Sequence, residues 1–428
     1  MTDPVHPPTR LAVIGQGYVG LPLAMRAVEQ GFHVVGFDID SAKVARLTAG
    51  SSHVEDISDE RLTAALRTGR FLATDDTHQL AGFDVCVISV PTPLREGLPD
   101  LSYIESAAHA VAPYLRPGAT VVLESTTYPG TTEELMVGIL ADVSGLPAGG
   151  PDGFRAGYSP ERIDPGNTVY TFENTPKVVS GIDADSLAVV QGFYDRLVEK
   201  TVPVRSPKEA ELTKLLENTF RHVNIALVNE LAMFAHELGI DVWEAIDAAS
   251  TKPFGYLRFT PGPGVGGHCL PIDPSYLSWQ VKRSTGHPFR FVELANDVNE
   301  HMPDYVVRRL TDALNDRELS VKGRRILLLG LAYKRDTGDA RESPSSTVAA
   351  RLVQLGATVV AVDPHVDERQ TPPGVRLIAL TADELQAADA VIVLVDHSAF
   401  DADLVLAHSR YVLDTRHWLP DAEHVDVL

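Results

Sequence analysis

Cysteine is scarce in this 428-residue chain, which contains two, Cys86 and Cys269. Two thiols cannot form a disulfide framework, and they are too few for a structural zinc site unless histidines assist. Zinc is disfavoured at the second cysteine, because His268 is adjacent to it and no second pair stands at ligand spacing. The sequence therefore predicts no metal site and a reducing, cytoplasmic location, where a lone exposed cysteine is more often reactive than structural.

Basic residues are also few: 37 lysines and arginines stand against 58 acidic residues, which gives a formal net charge of −21. Such a charge repels phosphate backbones and anionic lipid surfaces, so we expect neither a nucleic acid nor a membrane as a partner. No apolar run is long enough to cross a bilayer, and the start, MTDPVHPPTR, lacks the features of a signal peptide. A small phosphate-bearing ligand is compatible with this charge, because helix N-termini and local cations can hold it.

Both ends of the chain alternate strand-like and helix-like patterns. Near the N-terminus, an apolar run, a glycine turn, a helical stretch and a second apolar run form one βαβ unit. The further strand-like segments are 84–90, 119–127, 324–334, 357–365 and 388–397. Alternation of this kind is typical of doubly wound sheets with parallel strands, and the two ends read as distant repeats of one unit.

The middle of the chain is different, because the stretch from Pro207 to Ala249 shows a helical period and no strand signal. Its apolar residues cover much of the helix surface, which predicts a buried or paired helix. We therefore predict an α/β protein with two Rossmann-like domains, residues 1–206 and 316–428. A central helical dimerisation domain, residues 207–315, joins them.

The segment Gly15-Gln16-Gly17-Tyr18-Val19-Gly20 matches the G-x-G-x-x-G pattern between a strand and a helix. The first glycine permits the turn, the second lets a pyrophosphate approach the helix N-terminus, and Asp38 at the next strand end accepts from a ribose hydroxyl. Asp38 also repels a 2′-phosphate, which favours NAD over NADP, although Lys43 weakens that argument. The alternative is a glycine turn that serves packing alone.

The C-terminal segment GLAYKRDTGDARES follows a strand where a second fingerprint would stand, but Ala332 and bulkier residues replace its later glycines. A dinucleotide could not approach the backbone closely there. Lys334, Arg335 and Arg341 could meet phosphates, so this half is predicted to bind a different nucleotide. A solvated basic loop is the alternative.

On the long helix, Lys214, Asn218 and Arg221 lie four and three residues apart and so share one face. Such a stripe marks either an ordinary exposed surface or a site. Cys269 makes a site the stronger interpretation, because it stands in GPGVGGHCLPIDP, where prolines exclude regular structure and glycines allow close approach of a ligand. A thiolate on such a loop can attack a carbonyl group, whereas Cys86, within DVCVISV, reads as a buried core residue.

Several motifs together resemble the nucleotide-sugar 6-dehydrogenase family, the UDP-glucose and UDP-N-acetylhexosamine dehydrogenase superfamily. They are GQGYVGLPLA, ISVPTP, ESTTYPG, YSPERIDPGN, AELTKLLENTFRHVNIALVNE, PGPGVGGHCLPIDP, GLAYKRDTGDARES and LDTRH. The resemblance covers nearly the whole chain. It implies an N-terminal NAD domain, a helical dimer core, a C-terminal nucleotide-sugar domain and a catalytic cleft between the ends.

The resemblance also implies the chemistry. These enzymes oxidise the C6 alcohol of a UDP-hexose to a carboxylate with two NAD and one water, through a thiohemiacetal and a thioester on the cysteine, here Cys269. Lys214 and Asn218 would hold the developing oxyanion, and Asp273 would orient a water or act as base. Thr127 and Glu161 would flank the reacting carbon. The family's second carboxylate, four residues after Glu161, is replaced by Pro165.

The predicted residues fall into three sets. The catalytic set is Cys269, Lys214, Asn218, Asp273, Thr127 and Glu161. The cofactor-binding set is Gly15, Gly17, Tyr18, Val19, Gly20, Asp38, Lys43, Pro91, Thr92, Thr127 and Arg341. The substrate-binding set is Glu161, Arg162, Lys214, Asn218, Arg221, Arg258, Gly266, Lys334 and Arg416, of which Arg258 would cross to the second subunit of a homodimer.

The sequence leaves open which UDP-sugar is oxidised, glucose or an N-acetylhexosamine. Three alternatives to this reading are a GDP-mannose 6-dehydrogenase, a two-electron hydroxyacid-type dehydrogenase, and a non-catalytic NAD-binding sensor. The hydroxyacid enzyme would share the helical middle but would need no cysteine. A sensor would not require Cys269, Lys214, Asn218 and Asp273 together.

Overall fold

The computed structural model describes residues 10–95, 98–164, 167, 169–267, 270 and 272–428. His268, Cys269 and Pro165, on which predictions were made, lie outside these ranges. The contacts between residues divide the chain into two compact units, Met1–Glu217 and Asn218–Leu428. No helix within the described ranges combines the length and apolar character needed to span a membrane.

The first unit alternates strands and helices. Its strands are β1 (Arg10–Ile14), β2 (His33–Phe37), β3 (Phe71–Thr74), β4 (Val85–Ile88), β5 (Leu94–Arg95), β6 (Leu98–Pro99), β7 (Thr120–Leu123), β8 (Arg155–Tyr158), β9 (Lys177–Val179) and β10 (Thr201–Pro203). Its helices are α1 (Gly20–Glu29), α2 (Ser41–Thr48), α3 (Asp59–Arg67), α4 (Ser102–Val111), α5 (Val137–Ser144), α6 (Ala184–Tyr194) and the first part of α7 (Pro207–Glu237). A π-helical turn spans Thr131–Met136, and 3₁₀ turns span Thr77–Leu80 and Ala112–Tyr114.

The main sheet of this unit is parallel, with the strand order β3-β2-β1-β4-β7-β8. Its central strands β1, β4 and β7 are nearly continuous apolar runs, because both faces of the sheet are covered there. Leu11 and Val13 pack on the side of α1, whereas Ala12 and Ile14 pack on the side of α4. The strand order reverses between β1 and β4, and ligands of such sheets bind at the carboxyl ends of the strands at that switch point.

The second unit begins within α7 and ends in another doubly wound sheet. Its further helices are α8 (Val242–Ser250), α9 (Asp273–Thr285), α10 (Arg290–Asp316), α11 (Pro344–Gln354), α12 (Ala382–Ala387) and α13 (Ala402–His408), with a 3₁₀ turn at Glu368–Gln370. Its strands are β11 (Arg325–Leu329), β12 (Thr358–Val362), β13 (Val375–Leu377), β14 (Ala390–Val393), β15 (Val412–Asp414) and β16 (Val425–Val427). The parallel order β13-β12-β11-β14-β15-β16 repeats that of the first sheet, which confirms the predicted pair of Rossmann-like folds.

The helical middle is confirmed, with one interruption. Helix α7 runs for 31 residues and ends before Gly239, whose positive φ of 67° turns the chain toward α8. Asp241 caps α8 by accepting hydrogen bonds from the backbone N–H groups of Trp243 and Glu244. One apolar face of α7 remains exposed in the single chain, with Leu216 at 63% and Phe234 at 58% exposure.

Candidate active site

The glycine turn after β1 assigns a different task to each of its three glycines. Gly15 has a φ of +91°, and a Cβ there would lie 2.6 Å from the carbonyl oxygen of Ser89. A Cβ on Gly20 would lie 1.9 Å from the carbonyl oxygen of Gly15, so this glycine lets α1 begin against the turn. A Cβ on Gly17 would meet no described atom within 4 Å, which leaves the turn open where a pyrophosphate would approach.

Asp38 stands directly after β2, where the ribose-binding acid was predicted. One carboxylate oxygen, Oδ2, accepts from the backbone N–H of Gln16 at 2.9 Å and from Lys43 Nζ at 2.8 Å, and Oδ1 accepts from the N–H of Asp40 at 3.0 Å. Burial alone would raise the pKa of Asp38, but these hydrogen bonds outweigh burial and lower it. Asp38 is therefore an ionised acceptor fixed against the glycine turn, and Lys43 is its counter-ion.

The other residues predicted to bind the cofactor follow neighbouring strands. Pro91 and Thr92 come after β4, and Thr127 comes after β7, at the same edge of the sheet as the glycine turn. Tyr18 is 43% exposed within the turn, and Val19 is half-buried. The Thr127 side chain is fully buried, and its hydroxyl donates to Thr131 Oγ1 at 2.6 Å.

Glu211, which the sequence analysis did not single out, supports the loop that carries Thr127. Its carboxylate accepts from the backbone N–H of Gly130 at 2.6 Å and from both the N–H and the hydroxyl of Thr132, at 2.9 and 2.7 Å. Burial raises the pKa of Glu211 to about 7, although these three hydrogen bonds oppose the rise. Its position three residues before Lys214 was the only sequence signal for this role.

Glu161 belongs to a buried group of charges. Its Oε2 lies 3.0 Å from Lys177 Nζ, which also lies 2.9 Å from Oε1 of Glu124. Its Oε1 accepts the backbone N–H groups of Arg162 and Ile163, at 2.7 and 2.6 Å. Glu161 was predicted, whereas Lys177 and Glu124 were missed, because they stand 16 and 37 residues from it in the chain.

Arg162, predicted to bind substrate, is held by protein groups. Its guanidinium pairs with Glu217 at 2.7 Å, and Nη1 donates to the carbonyl oxygen of Pro176 at 2.6 Å. The arginine therefore ties the segment after β8 to the first half of α7. Its part in substrate binding remains a prediction.

In the second unit, two of the predicted catalytic residues meet. The side-chain amide of Asn218 donates to Oδ2 of Asp273 at 2.5 Å, and both residues are buried. Asn218 lies on α7, one turn after the half-buried Lys214, and Asp273 begins α9. Arg221, the third residue of the predicted stripe, is exposed. Cys269 lies outside the described residues, so the structure places its loop only up to Gly267, at Leu270 and again from Ile272.

The glycines before Cys269 pack against protein atoms. A Cβ on Gly266 would lie 2.7 Å from Pro344 Cδ, and a Cβ on Gly267 would lie 2.8 Å from the ring of Tyr333. A Cβ on Gly262 would lie 2.8 Å from Nη1 of Arg416. These glycines were expected to allow close approach of a ligand; within residues 262–267 they bring the loop against the segments that follow β11 and β15.

A buried amide network, also missed by sequence reasoning, anchors the start of this loop. Asn229 Oδ1 accepts the backbone N–H of Gly262 at 2.9 Å, and its Nδ2 donates to Asn299 Oδ1 at 2.9 Å. His222 continues the network to Asn296 of α10 through a 2.7 Å contact. These side chains join α7, α10 and the cysteine loop. His222 and Asn299 also line a cavity of about 380 Å³.

The predicted basic residues of the second unit are engaged to different degrees. Arg341 forms a two-point contact with Asp339, at 2.8 and 2.7 Å, and Arg416 Nε donates to the carbonyl oxygen of Leu394 at 2.8 Å. Arg258 pairs with Asp247 on the surface. Lys334 is half-buried in the turn after β11, where a nucleotide phosphate was predicted to bind.

Among the described residues, the side chains of Asp336, His365 and His397 are close enough to hold a metal ion. Both ring nitrogens of His397 are already used, however. Nδ1 accepts the backbone N–H of Asp336 at 2.9 Å, and Nε2 donates to Asp363 at 3.1 Å. Burial would raise the pKa of Asp363, but His397 and backbone N–H groups lower it to about 2. This geometry makes His397 a structural link between loops.

Three models of a single family match the chain in succession. They are the NAD binding domain, the central domain and the UDP binding domain of the UDP-glucose/GDP-mannose dehydrogenase family, over residues 9–198, 208–301 and 327–421. The chain belongs to this family. The resemblance noted from the motifs is thereby confirmed.

Individual relatives agree with this assignment. The chain is 37% identical over 392 residues to a UDP-N-acetyl-D-mannosamine dehydrogenase of Pyrococcus horikoshii, covering 91% of this chain and 90% of the relative. It is 34% identical to a UDP-N-acetyl-D-glucosamine 6-dehydrogenase of Pseudomonas aeruginosa, covering 95% and 97% of the two chains. A solved structure of UDP-D-ManNAc dehydrogenase from Pyrococcus horikoshii superposes with a TM-score of 0.89 at 34% identity, covering 98% of each chain.

The family assigns the chemistry of the two sheets. The protein is an NAD-dependent oxidoreductase of UDP-sugars, with its NAD-binding domain in the first unit and its UDP-binding domain in the second. The geometry after β1 fits NAD, because Gly17 leaves the turn open and Asp38 is an ionised acceptor beside it.

Proposed function

We propose that the protein oxidises the C6 alcohol of a UDP-N-acetylhexosamine to the uronate, with Cys269 as nucleophile, two NAD and one water. The observation that carries the proposal is the 2.5 Å contact between Asn218 and Asp273. It joins α7 to the residue four positions after Cys269, so an oxyanion donor and a carboxylate stand together beside the cysteine loop.

The proposed reaction proceeds in four balanced steps. The C6 alcohol loses a hydride to NAD and a proton to water, which gives an aldehyde. The thiolate of Cys269 adds to the aldehyde carbon, and the oxygen takes a proton to give a thiohemiacetal. The thiohemiacetal gives a second hydride to a second NAD and loses the proton from its oxygen, which leaves a thioester. Water then adds to the thioester carbon and releases the carboxylate, and both protons of the water leave to solvent, which returns Cys269 to its thiolate.

Each remaining residue of the proposed set has one task. Negative charge develops on the oxygen bonded to C6. Lys214 stabilises this oxygen by its positive charge, and Asn218 donates a hydrogen bond to it. Asp273 orients the water or accepts its proton. Thr127 and Glu161 bind the sugar near C6. Lys334 and Arg416 contact the nucleotide, and Arg341 the cofactor.

The N-acetylhexosamine is favoured over glucose because relatives that cover most of the chain are named for N-acetylated sugars. Besides those above, an NDP-N-acetyl-D-galactosaminuronic acid dehydrogenase of Ralstonia nicotianae is 36% identical over 416 residues. A panel of UDP-N-acetylmannosamine, UDP-N-acetylglucosamine, UDP-N-acetylgalactosamine and UDP-glucose, assayed by NADH absorbance, tests this choice. A higher kcat/KM for UDP-glucose than for each N-acetylated sugar would contradict it.

The four-electron mechanism is tested by stoichiometry and by two matched cysteine variants. We expect two NADH per uronate from the native enzyme. Cys269→Ala should bind NAD and the UDP-sugar but form no uronate, whereas Cys86→Ala should remain active, because Cys86 is buried in β4 and burial raises the pKa of its thiol. Uronate formation by Cys269→Ala at the native rate would exclude the mechanism.

We also propose that the protein is a homodimer that pairs through α7. One face of this helix exposes apolar side chains three, four or seven residues apart, namely Leu212, Leu216, Phe220, Leu227, Leu231 and Phe234. An apolar stripe of this extent usually marks an interface. Leu231→Glu should lower the mass measured by light scattering from dimer to monomer, whereas Leu355→Glu, at an exposed apolar site outside α7, should not.

The cytoplasm is the proposed location, because the two cysteines suit a reducing compartment and the catalytic thiol must stay reduced. Fractionation of cells that express the tagged chain tests this. Recovery in an exported or membrane fraction would contradict it.

A further inference from the structure

The charges around Glu161 do not balance. Lys177 Nζ lies between two carboxylates, 2.9 Å from Glu124 Oε1 and 3.0 Å from Glu161 Oε2. The side chains of Lys177 and Glu124 are 4% and 0% exposed, and that of Glu161 is 11% exposed. One ammonium group cannot neutralise two buried carboxylates, and an unbalanced buried charge is strongly unfavourable.

The carboxyl groups of Glu161 and Glu124 differ in the number of hydrogen bonds that the protein provides. Both oxygens of Glu161 are occupied, Oε1 by two backbone N–H groups and Oε2 by Lys177. In Glu124, Oε1 accepts the hydroxyl of Tyr194 and lies against the ammonium of Lys177. Its Oε2 has no hydrogen-bond partner among the described residues. Glu161 is thus the better site for negative charge, and Glu124 the better site for a proton.

We propose that Lys177 is a positioning residue that keeps Glu161 ionised and fixed in orientation, while Glu124 carries a proton and leaves the lysine charge to Glu161. This inference rests on the proposed function, in which Glu161 binds the sugar near C6. The protonated Glu124, the ammonium and the ionised Glu161 together form a neutral buried cluster.

Each element packed around the cluster contributes a defined group. Strand β9 supplies Lys177, the residue directly after β7 is Glu124, and α6 supplies the hydroxyl of Tyr194, 2.5 Å from Glu124. The guanidinium of Arg162, next to Glu161 in the chain, is paired with Glu217. Burial raises the pKa of Glu124, and the charge of Glu161 adds to the rise, whereas Lys177 and Tyr194 oppose it. This direction agrees with the geometric assignment of the proton.

The experiment compares K177Q, K177R and E124Q with the native enzyme across pH. In K177Q, Glu161 loses its counter-ion, so the acid limb of kcat/KM for uronate formation should move up by about one to two pH units, with the rate recovering at higher pH. K177R keeps the charge and should keep the acid limb. E124Q imitates a protonated Glu124, so its acid limb should also stay in place.

Infrared spectroscopy supplies a readout that needs no substrate. The spectrum of the native protein minus that of E124Q at neutral pH should contain the carbonyl band of a protonated buried carboxyl group, because the partly protonated Glu211 contributes equally to both spectra and cancels. In K177Q an additional band should appear when the pH falls below its raised acid limb, and this band should be absent from K177Q/E161Q. NAD titration of each variant reports whether the first unit is folded.

The outcomes separate this inference from the proposed function. If the native enzyme forms no uronate, the proposed function fails while the infrared bands still test the proton assignment. An acid limb in K177Q that coincides with the native one overturns the positioning role, as does a loss of rate in folded K177Q that no pH restores. If K177Q does not bind NAD, E124Q decides, because a downward shift of its acid limb, or a native-minus-E124Q spectrum without the band, would overturn the assignment to Glu124.

Discussion

The turns after β1 and β11 share a backbone design but differ in what they leave open. Gly15 and Gly330 have φ values of 91° and 90°, and a Cβ on either would collide with the segment that follows the neighbouring strand, at Ser89 or Val395. In both sheets an aspartate after the second strand, Asp38 or Asp363, accepts backbone N–H groups from the turn.

The difference lies in the next positions. A Cβ on Gly17 would meet no described atom within 4 Å, whereas Ala332 is fully buried. Asp38 pairs with the partly exposed Lys43, but Asp363 is closed off by the buried His397. The same strand-turn-helix frame thus exposes a dinucleotide site in one unit and fills it in the other, which accounts for NAD at the first sheet and UDP at the second.

The largest expected effect concerns the shared first glycine. Gly15→Ala and Gly330→Ala each force a Cβ into neighbouring atoms at a positive φ, so each should lower the free energy of unfolding of its own unit by about 2–4 kcal/mol. Chemical denaturation followed by unit-specific tryptophan or NAD-binding signals measures this. A loss under about 1 kcal/mol in either variant would show that the two turns do not share the constraint.

The second effect separates the turns. Gly17→Val should leave the fold intact, because its Cβ meets no neighbour, but it should weaken NAD binding at least tenfold by blocking the pyrophosphate. The matched variant Ala332→Gly should cost about 1 kcal/mol of stability and give the second unit no NAD binding. Calorimetric titration with NAD checks both, and unchanged affinity in Gly17→Val would break the comparison.

The third effect is a pH dependence in the second turn. The folded-state pKa of Asp363, about 2, lies below the ordinary value of 3.8. Its ionised form therefore stabilises the fold above pH 3.8, and this contribution is lost as pH falls toward 2. Asp363→Asn should lower the free energy of unfolding at pH 6 by roughly 1–2 kcal/mol and flatten the acid decline. If the free energy of unfolding of this variant falls with acid as steeply as that of the native protein, ionised Asp363 does not stabilise the fold.

The smallest effect involves carboxylates with the opposite shift. Glu211 holds the loop after β7, and Asp414 holds the loop after β15 by accepting the backbone N–H groups of Arg416, Trp418 and Leu419. Burial raises the pKa of both groups, to about 7 for Glu211. The contribution of Glu211 is therefore fully present below pH 4.5 and declines as pH rises through 7.

Glu211→Gln removes this titration. Melting temperatures measured from pH 5 to 8 should fall less steeply in the variant than in the native protein, because the glutamine side chain does not ionise. Asp142→Asn, on the surface-facing side of α5, serves as a control for the loss of one carboxylate. Parallel slopes in Glu211→Gln and the native protein would show that Glu211 does not titrate in this range.

The sequence was sufficient for the sheets and the glycine turn, because buried parallel strands and close backbone approach each impose a local residue pattern. Leu11 to Ile14 and Ile326 to Leu329 are continuous apolar runs, and Gly15, Gly17 and Gly20 stand at fixed spacing. The sequence placed Asn218 and Asp273 in one catalytic site, but it did not predict the hydrogen bond between their side chains.

What the sequence could not show are contacts between residues far apart in the chain. Lys177 stands in an ordinary strand, and nothing near it indicates two buried carboxylates. The glycines at 262–267 predicted a loop that a ligand can approach closely, but the contacts of residues 262–267 depend on Tyr333, Pro344 and Arg416, which come much later in the chain. Local patterns fix backbone shape, whereas charge pairing and interlocking surfaces depend on the tertiary arrangement.

The interlocking of residues 262–267 with Tyr333, Pro344 and Arg416 has a consequence for enzyme engineering. Redesign of nucleotide preference would naturally target the turn after β11 and the loop after β15. The same three side chains pack against residues 262–267, which lead to Cys269 in the chain. A library that recodes the base or phosphate contacts should therefore keep these three residues constant, or it will vary reactivity and selectivity together.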